Sequence, residues 1–103
     1  MKNSKLIVNA ESAGESKYVF QLFIVDNQPN SARAIINIKR ICNEHLRGKY
    51  ELIIIDLFQK PTLAVSEDII AVPTLIKKFP LPEIRLFGDL SDTKSVLQGL
   101  SFL

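Results

Sequence analysis

Few side chains in this 103-residue sequence belong to the types that carry out chemistry. It contains one cysteine, Cys42, and one histidine, His45. A single cysteine excludes an intramolecular disulfide, a C-x-x-C redox pair and a cysteine zinc site, and a single histidine excludes a two-histidine metal site. Cys42 falls on the apolar stripe of a predicted helix, which indicates a small core residue rather than a reactive thiol. His45 lies at the edge of that stripe, and its position favours a packing or capping role.

The charged residues give no stronger indication of catalysis. Asp56 interrupts an apolar strand, and we interpret it as a strand-end carboxylate that is hydrogen-bonded near a loop. Lys77 and Lys78 are interpreted as ordinary solvated charges. Thirteen Lys and Arg against eleven Asp and Glu leave a net charge of +2, so no strong field attracts nucleic acid or an acidic membrane. We therefore expect a protein that is not an enzyme, binds no cofactor or metal, and acts through its surface.

The chain divides into a short leader and one domain. Residues 1–17 are expected to be a flexible leader because its longest apolar run, Leu6-Ile7-Val8, is too short for a secretory signal and residues 9–17 are small and polar. Residues 18–103 are expected to form a single domain. No run approaches the roughly 20 apolar residues of a membrane span. A cytoplasmic location is expected, and it agrees with the unpaired thiol.

The apolar pattern of the domain predicts alternating strands and helices. Its first half predicts a strand (18–25), a helix (31–47) and a strand (51–58), which together form a parallel βαβ unit. Its second half predicts a short helix after Pro61, a strand entered at Val72, a turn at 79–82, a strand at 83–87 and a final helix. The sum is an α/β domain of order βαβαββα.

This order, with the V-P-T-L sequence that opens the third strand, resembles the thioredoxin fold. The resemblance implies that Pro73 is a cis-proline that faces the turn holding the catalytic dithiol of thioredoxins. In this sequence that turn is Asp26–Ser31, which contains no cysteine. Disulfide exchange requires an attacking thiolate at this place, so we expect the fold without the redox activity.

Four segments together resemble the KaiB family of circadian clock proteins. Their order and spacing agree with that family from Tyr18 to Leu103. The segments are P-N-S-A-R-A (29–34), G-K-Y-E-L-I-I-I-D (48–56), P-T-L-I-K (73–77) and P-L-P-E-I-R-L-F-G-D-L-S (80–91).

The resemblance implies a non-enzymatic regulator that binds the ATPase and autokinase KaiC, with KaiA a weaker expectation. It also implies two folds that share the βαβ first half. The second half is then either βαββααβ, in a homotetramer expected for the isolated protein, or thioredoxin-like βαβαββα. A high apolar content in so short a chain also favours a tetramer or a dimer.

Site residues follow from the same resemblance. Arg33, Glu67, Asp68 and Arg85 are the expected partner-binding residues, and Asp68 stands where clock KaiB proteins carry a lysine. The expected fold-switch or structural residues are three prolines, whose isomerisation would slow exchange, and two glycines. These are Pro73, Pro80, Pro82, Gly88 and Gly99.

Three functions remain open from the sequence. The first is a KaiB-like regulator of a KaiC-type ATPase, in circadian or stress-adaptation control. The second is a thioredoxin-like sensory module related to the KaiB-like domain of histidine kinases. The third is a stress protein that acts without KaiC.

Overall fold

The computed structural model describes residues 5–8 and 18–102. Five strands form one sheet in the order β1-β3-β2-β4-β5. Along the chain the elements are β1 (Lys5–Val8), β2 (Tyr18–Ile24), α1 (Pro29–His45), β3 (Tyr50–Asp56), α2 (Thr62–Ser66), β4 (Thr74–Phe79), β5 (Ile84–Phe87) and α3 (Thr93–Gly99).

The first half of the domain is the predicted βαβ unit. Strands β2 and β3 pair in parallel, from Tyr18 opposite Tyr50 to Ile24 opposite Asp56. Helix α1 begins with a proline. Proline lacks a backbone N–H, but a residue in the first helical position makes no intrahelical hydrogen bond through that group, so none is lost. The chain turns at Gly48, where φ is +72°, a conformation that glycine adopts without steric cost.

The second half has the thioredoxin-like arrangement. Strand β4 pairs antiparallel with β2, and β5 pairs antiparallel with β4. From β2 onward the order is therefore βαβαββα, one of the two expected arrangements. The single chain does not have the βαββααβ arrangement. That arrangement, expected for the tetramer of the isolated protein, stays a prediction.

A strand lies within the segment that we expected to be a flexible leader. Lys5–Val8 forms β1, which pairs antiparallel with β3, from Lys5 opposite Ile55 to Val8 opposite Leu52. A run of three apolar residues does not by itself indicate a strand, because its backbone partners, Leu52 to Ile55, lie far along the chain. The rest of that leader, residues 1–4 and 9–17, lies outside the described residues.

The sheet carries a buried cluster on each face, and the two clusters differ in size. The larger one joins the sheet to α1 and α3, and it includes Phe20, Leu22, Ile38, Leu52 and Leu97. The smaller one consists of Phe23, Ile55, Leu57 and Ile76, against which Leu63, Ala64 and Ile69 pack from the region of α2. In the described part of the chain, no helix has the length and apolar character needed to cross a membrane.

Candidate functional site

The turn between β2 and α1 is built from polar side chains. The Asp26 N–H donates to Asp56 Oδ1 at 3.3 Å, and the Phe58 N–H donates to the same oxygen at 2.9 Å. The Val25 N–H donates to Ser31 Oγ at 3.2 Å. Asp56 is thus a strand-end carboxylate that accepts hydrogen bonds from two loops, which confirms its interpretation.

Pro73 lies close to this turn. Its peptide bond to Val72 is cis, as the thioredoxin resemblance implied. A cleft of about 380 Å³ is lined by Val72 on one side and by Gln28, Pro29 and Arg33 on the other. The polar side chains of the turn stand where the thioredoxin resemblance places a dithiol. The turn contains no cysteine, so this cleft has no thiolate for disulfide exchange.

Cys42 has the core role that its spacing predicted, whereas His45 is an exposed residue at the end of α1. Cys42 is fully buried in the larger cluster, and desolvation by burial raises the pKa of its thiol to about 12. A thiol with such a pKa supplies almost no thiolate at neutral pH. The ring of His45 stacks on that of Phe102 with centroids 6.3 Å apart. Among the described residues, no group of three or more His, Cys, Asp or Glu side chains is placed to hold a metal.

Three of the four expected partner-binding residues come together on the α2 side of the sheet. Arg85 Nη2 donates to the carbonyl oxygen of Glu67 at 2.7 Å, and its Nη1 donates to that of Asp68 at 3.0 Å. Asp68 itself is exposed and has a φ of +56°. Arg85 is therefore joined to the backbone at the end of α2 and not only to the acidic side chains near it.

Two further residues extend this group into a charged network. Lys78 Nζ lies 3.1 Å from Glu67 Oε1 and 3.5 Å from Glu83 Oε2. Glu83 Oε1 in turn lies 3.9 Å from Arg85 Nη2. We call Glu67, Lys78, Glu83 and Arg85 the charged network. No pattern in the sequence indicates that Glu83 belongs to this network.

The interpretation of Lys77 as an ordinary solvated charge is wrong. It is only 4% exposed, and its Nζ donates to the carbonyl oxygen of Pro80 at 2.6 Å. Burying an ammonium group is costly unless it is hydrogen-bonded, and the turn after β4 supplies the acceptor. Neighbouring lysines of a strand point to opposite faces, so Lys77 and Lys78 have different surroundings.

Arg33 belongs to a different part of the surface. It lies on α1, where its Nε is 3.2 Å from Asp89 Oδ2, and it also donates to Asn30 Oδ1. Hydrogen bonds from Ser91, and then the Arg33 guanidinium, lower the pKa of Asp89. Among the described residues, no hydrogen bond or ion pair joins Arg33 to the charged network. Its expected partner-binding role stays a prediction.

The expected fold-switch residues hold the turns and the last helix of the second half. Pro80 and Pro82, like Pro73, follow cis peptide bonds. Gly88 has a φ of +96°, and its N–H donates to the carbonyl oxygen of Pro73 at 3.0 Å. A Cβ at Gly99 would meet the side chain of Leu86 at 2.7 Å, so α3 approaches β5 closely there. Their role in a change of fold stays a prediction.

Large exposed apolar side chains are concentrated in the second half. Of the eight found among the described residues, only Ile36 precedes Asp56. We call residues 62–72 the α2 segment; it carries Val65, which is 84% exposed, Ile70, which is 82% exposed, and the half-exposed Val72. The sequence analysis did not predict this surface. The one available signal is that Val65 and Ile70 lie in a stretch with no clear helical or strand period.

The comparisons first define the class of protein. Mitochondrial thioredoxin 3 of Saccharomyces cerevisiae matches with a TM-score of 0.67 over 86% of this chain and 81% of its own, at 12% identity. This similarity shows the fold alone. The N-terminal domain of SasA from Synechococcus elongatus matches with a TM-score of 0.66 over 85% of this chain and 87% of its own, at 26% identity. The domain is thus thioredoxin-like.

The sequence comparisons then give the family. The KaiB domain matches residues 21–102. The circadian clock oscillator protein KaiB of Synechococcus elongatus is 44% identical over 86 residues, which cover 84% of each chain. KaiB of Microcystis aeruginosa is 42% identical over 92 residues, which cover 89% of this chain and 88% of its own. The chain belongs to the KaiB family.

Proposed function

We propose that the protein is a non-enzymatic regulator that binds a KaiC-type ATPase through its α2 segment. The observation that carries the proposal is the exposed apolar surface of this segment, beside the charged network, in a chain of the KaiB family. The relatives are clock oscillator proteins, and the proposal extends that regulatory role to this chain, in circadian or stress-adaptation control.

The α2 segment has the chemistry of a protein-docking surface. Val65 and Ile70 expose most of their side chains to solvent. Exposed apolar patches that are rimmed by polar residues mark protein interaction sites. The charges of Glu67 and Asp68 lie between the two apolar residues and supply the polar rim, and such charges contribute specificity and association rate more than affinity.

The turn between β2 and α1 argues against disulfide exchange. The turn 26–31 has no cysteine, and burial raises the pKa of Cys42 to about 12. An insulin-reduction assay tests this part of the proposal. We expect no turnover by the wild-type protein; turnover that is lost in Cys42→Ser would contradict a non-enzymatic function.

One alternative has a specific observation behind it. The similarity to the N-terminal domain of SasA, at 26% identity, supports a sensory module related to the KaiB-like domain of histidine kinases. A stress protein that acts without KaiC is the remaining alternative. We propose KaiA only as a secondary partner. We also propose a cytoplasmic location, and the free buried thiol of Cys42 supports that location.

Size-exclusion chromatography tests partner binding. The protein is incubated for days with ATP and the KaiC-type ATPase of its own source organism, and KaiB of Synechococcus elongatus with its own KaiC serves as the positive control. We expect co-elution with the ATPase. If the control pair co-elutes and this protein remains free, the proposed partner is wrong.

We also propose that the isolated protein is a tetramer or a dimer. A short chain with 47% apolar residues has more apolar surface than one small core covers. Sedimentation velocity at micromolar concentration measures the state. A strict monomer would contradict this part of the proposal.

A further inference from the structure

Arg85 has the position of a partner-binding residue but uses its donors inside the protein. Its Nη2 and Nη1 reach the consecutive carbonyl oxygens of Glu67 and Asp68 at 2.7 and 3.0 Å. The guanidinium presents its N–H groups in a rigid planar fork, and this fork fits two neighbouring acceptors at once. A lysine ammonium, with its donors at one point, does not reproduce that geometry.

The backbone that Arg85 contacts has only partial support from apolar packing, through Leu63, Ala64 and Ile69 on the smaller cluster. Helix α2 has five residues, none of them buried, and no side-chain cap. A helix of this length is unstable by itself in water. Its last turn is closed by hydrogen bonds from the N–H groups of Glu67, Asp68 and Ile69 to carbonyl oxygens of α2. The contacts of Arg85 add charged donors to the carbonyl groups just beyond the helix, where a positive charge is favourable.

Lys78, on the neighbouring strand β4, also contacts the end of α2. Its Nζ bridges Glu67 on the α2 segment and Glu83 before β5, at 3.1 and 3.5 Å. Arg85 lies next to Glu83, at 3.9 Å. The end of α2 is therefore fastened to β4 and β5 by charged side chains, while Val65 and Ile70 on either side of it face solvent.

We propose that Arg85 is a positioning residue, which holds the end of α2 in the conformation that presents Val65 and Ile70 and does not itself contact the partner. This proposal rests on the proposed function, since it concerns the same docking surface. The apparent affinity for a partner falls in proportion to the fraction of molecules in the binding-competent conformation. Loss of the Arg85 contacts lowers that fraction before any partner arrives.

The test measures the free protein and the complex in parallel, with Arg85→Ala as the principal variant. Amide hydrogen exchange of Glu67, Asp68 and Ile69 reports on the end of α2. We expect exchange about 10-fold faster or more in Arg85→Ala, because two hydrogen bonds from a charged group are lost, with the amides of β2 unchanged. The affinity for the KaiC-type ATPase should fall by the factor by which the closed fraction of this segment falls, and the protection factors of the same amides give that fraction.

Two further variants serve as controls. Arg85→Lys keeps the charge without the fork, so both effects should be intermediate, and it also serves if Arg85→Ala does not fold. Arg47→Ala removes the same charge from the exposed loop after α1 and should leave both measurements at the wild-type value.

The outcomes separate this proposal from the proposed function. Faster exchange with a loss of affinity equal to the loss of closed fraction supports it. Weaker binding with unchanged exchange shows that Arg85 contacts the partner directly and overturns it. Faster exchange with an affinity that does not follow the closed fraction also overturns it. If the wild-type protein does not bind the ATPase, the proposed function fails, and the exchange data alone then decide whether Arg85 holds α2.

Discussion

The two halves of the domain are built in different ways. In the first half, α1 has 17 residues, five of them buried, and it packs in one cluster with the fully buried Phe20, Leu22 and Leu52 of β2 and β3. In the second half, α2 has five residues, none of them buried, and no residue of β5 is fully buried either. Apolar packing therefore stabilises the first half throughout. The second half combines the apolar packing of β4 and α3 with charged contacts around α2 and β5.

This difference assigns the two halves different tasks. A surface that is held by a few charged contacts opens at a lower free energy than a packed core does. Segments that bind partners are drawn from such regions. The first half is thus the scaffold, and the second half presents the exposed apolar side chains of the α2 segment. Four further predictions test this division.

A matched pair of isoleucine substitutions compares the halves directly. Ile38→Ala removes a fully buried side chain of α1 and should lower the free energy of unfolding by about 2–5 kcal/mol. Ile70→Ala removes an exposed side chain of the α2 segment and should change it by less than about 0.5 kcal/mol. Urea unfolding measures both. Equal losses would show that the two halves are not built differently.

Gly88 tests a turn of the second half. Its φ of +96° is strained for other residues, and an added Cβ would meet no atom within 4 Å. Gly88→Ala should therefore cost about 1–3 kcal/mol through the backbone alone, measured by urea unfolding. Gly88→Asn is the control and should cost less, because asparagine tolerates positive φ better than alanine. An alanine variant as stable as the wild type would contradict this explanation.

Cys42 gives the first half a characteristic pH dependence. Burial raises its pKa from 9.0 to about 12, so the unfolded chain loses the proton at a lower pH than the folded one. The free energy of unfolding should then fall by about 1.4 kcal/mol per pH unit between those two values. The slope is measured by urea unfolding at several pH values. Cys42→Ala should show a shallower slope; equal slopes in the two proteins would contradict the prediction.

Asp92 should give the smallest effect. It caps α3 by accepting a hydrogen bond from the Ser95 N–H at 3.2 Å, and hydrogen bonds from Ser95 lower its pKa. The stabilisation is present above the ordinary aspartate pKa of 3.8 and is lost as the pH falls through the lowered value. Asp92→Ala should lower the urea midpoint at pH 7, whereas Asp92→Asn keeps a capping acceptor. A midpoint unaffected by Asp92→Ala would contradict the capping role.

The elements of the first half were predictable because their signals are local. The apolar spacing of Ile38, Cys42 and Leu46 along one helix face indicates α1 without any distant contact. The continuous apolar runs of β2 and β3 indicate strands that are covered on both faces. Strand β1 was missed because its four residues depend on pairing with β3, and no local pattern shows that partner.

The candidate site was predicted only in part. Glu67, Asp68 and Arg85 were identified through the family resemblance, but the role of Arg85 depends on two backbone carbonyl groups, which no side-chain pattern reveals. Lys77 was misjudged for a similar reason, since its acceptor is the carbonyl oxygen of Pro80. The exposure of Val65 and Ile70 depends on how α2 lies on the sheet, which is a tertiary property.

The most direct test of the account compares two exposed isoleucines, one in each half. Ile36 on α1 is 65% exposed and Ile70 in the α2 segment is 82% exposed, so neither substitution by serine should alter the fold. The affinity of each variant for the KaiC-type ATPase is measured by biolayer interferometry with ATP present. We expect the affinity of Ile70→Ser for the ATPase to fall about 10-fold or more and that of Ile36→Ser to stay at the wild-type value. Wild-type binding by Ile70→Ser, or an equal loss in both variants, would contradict it.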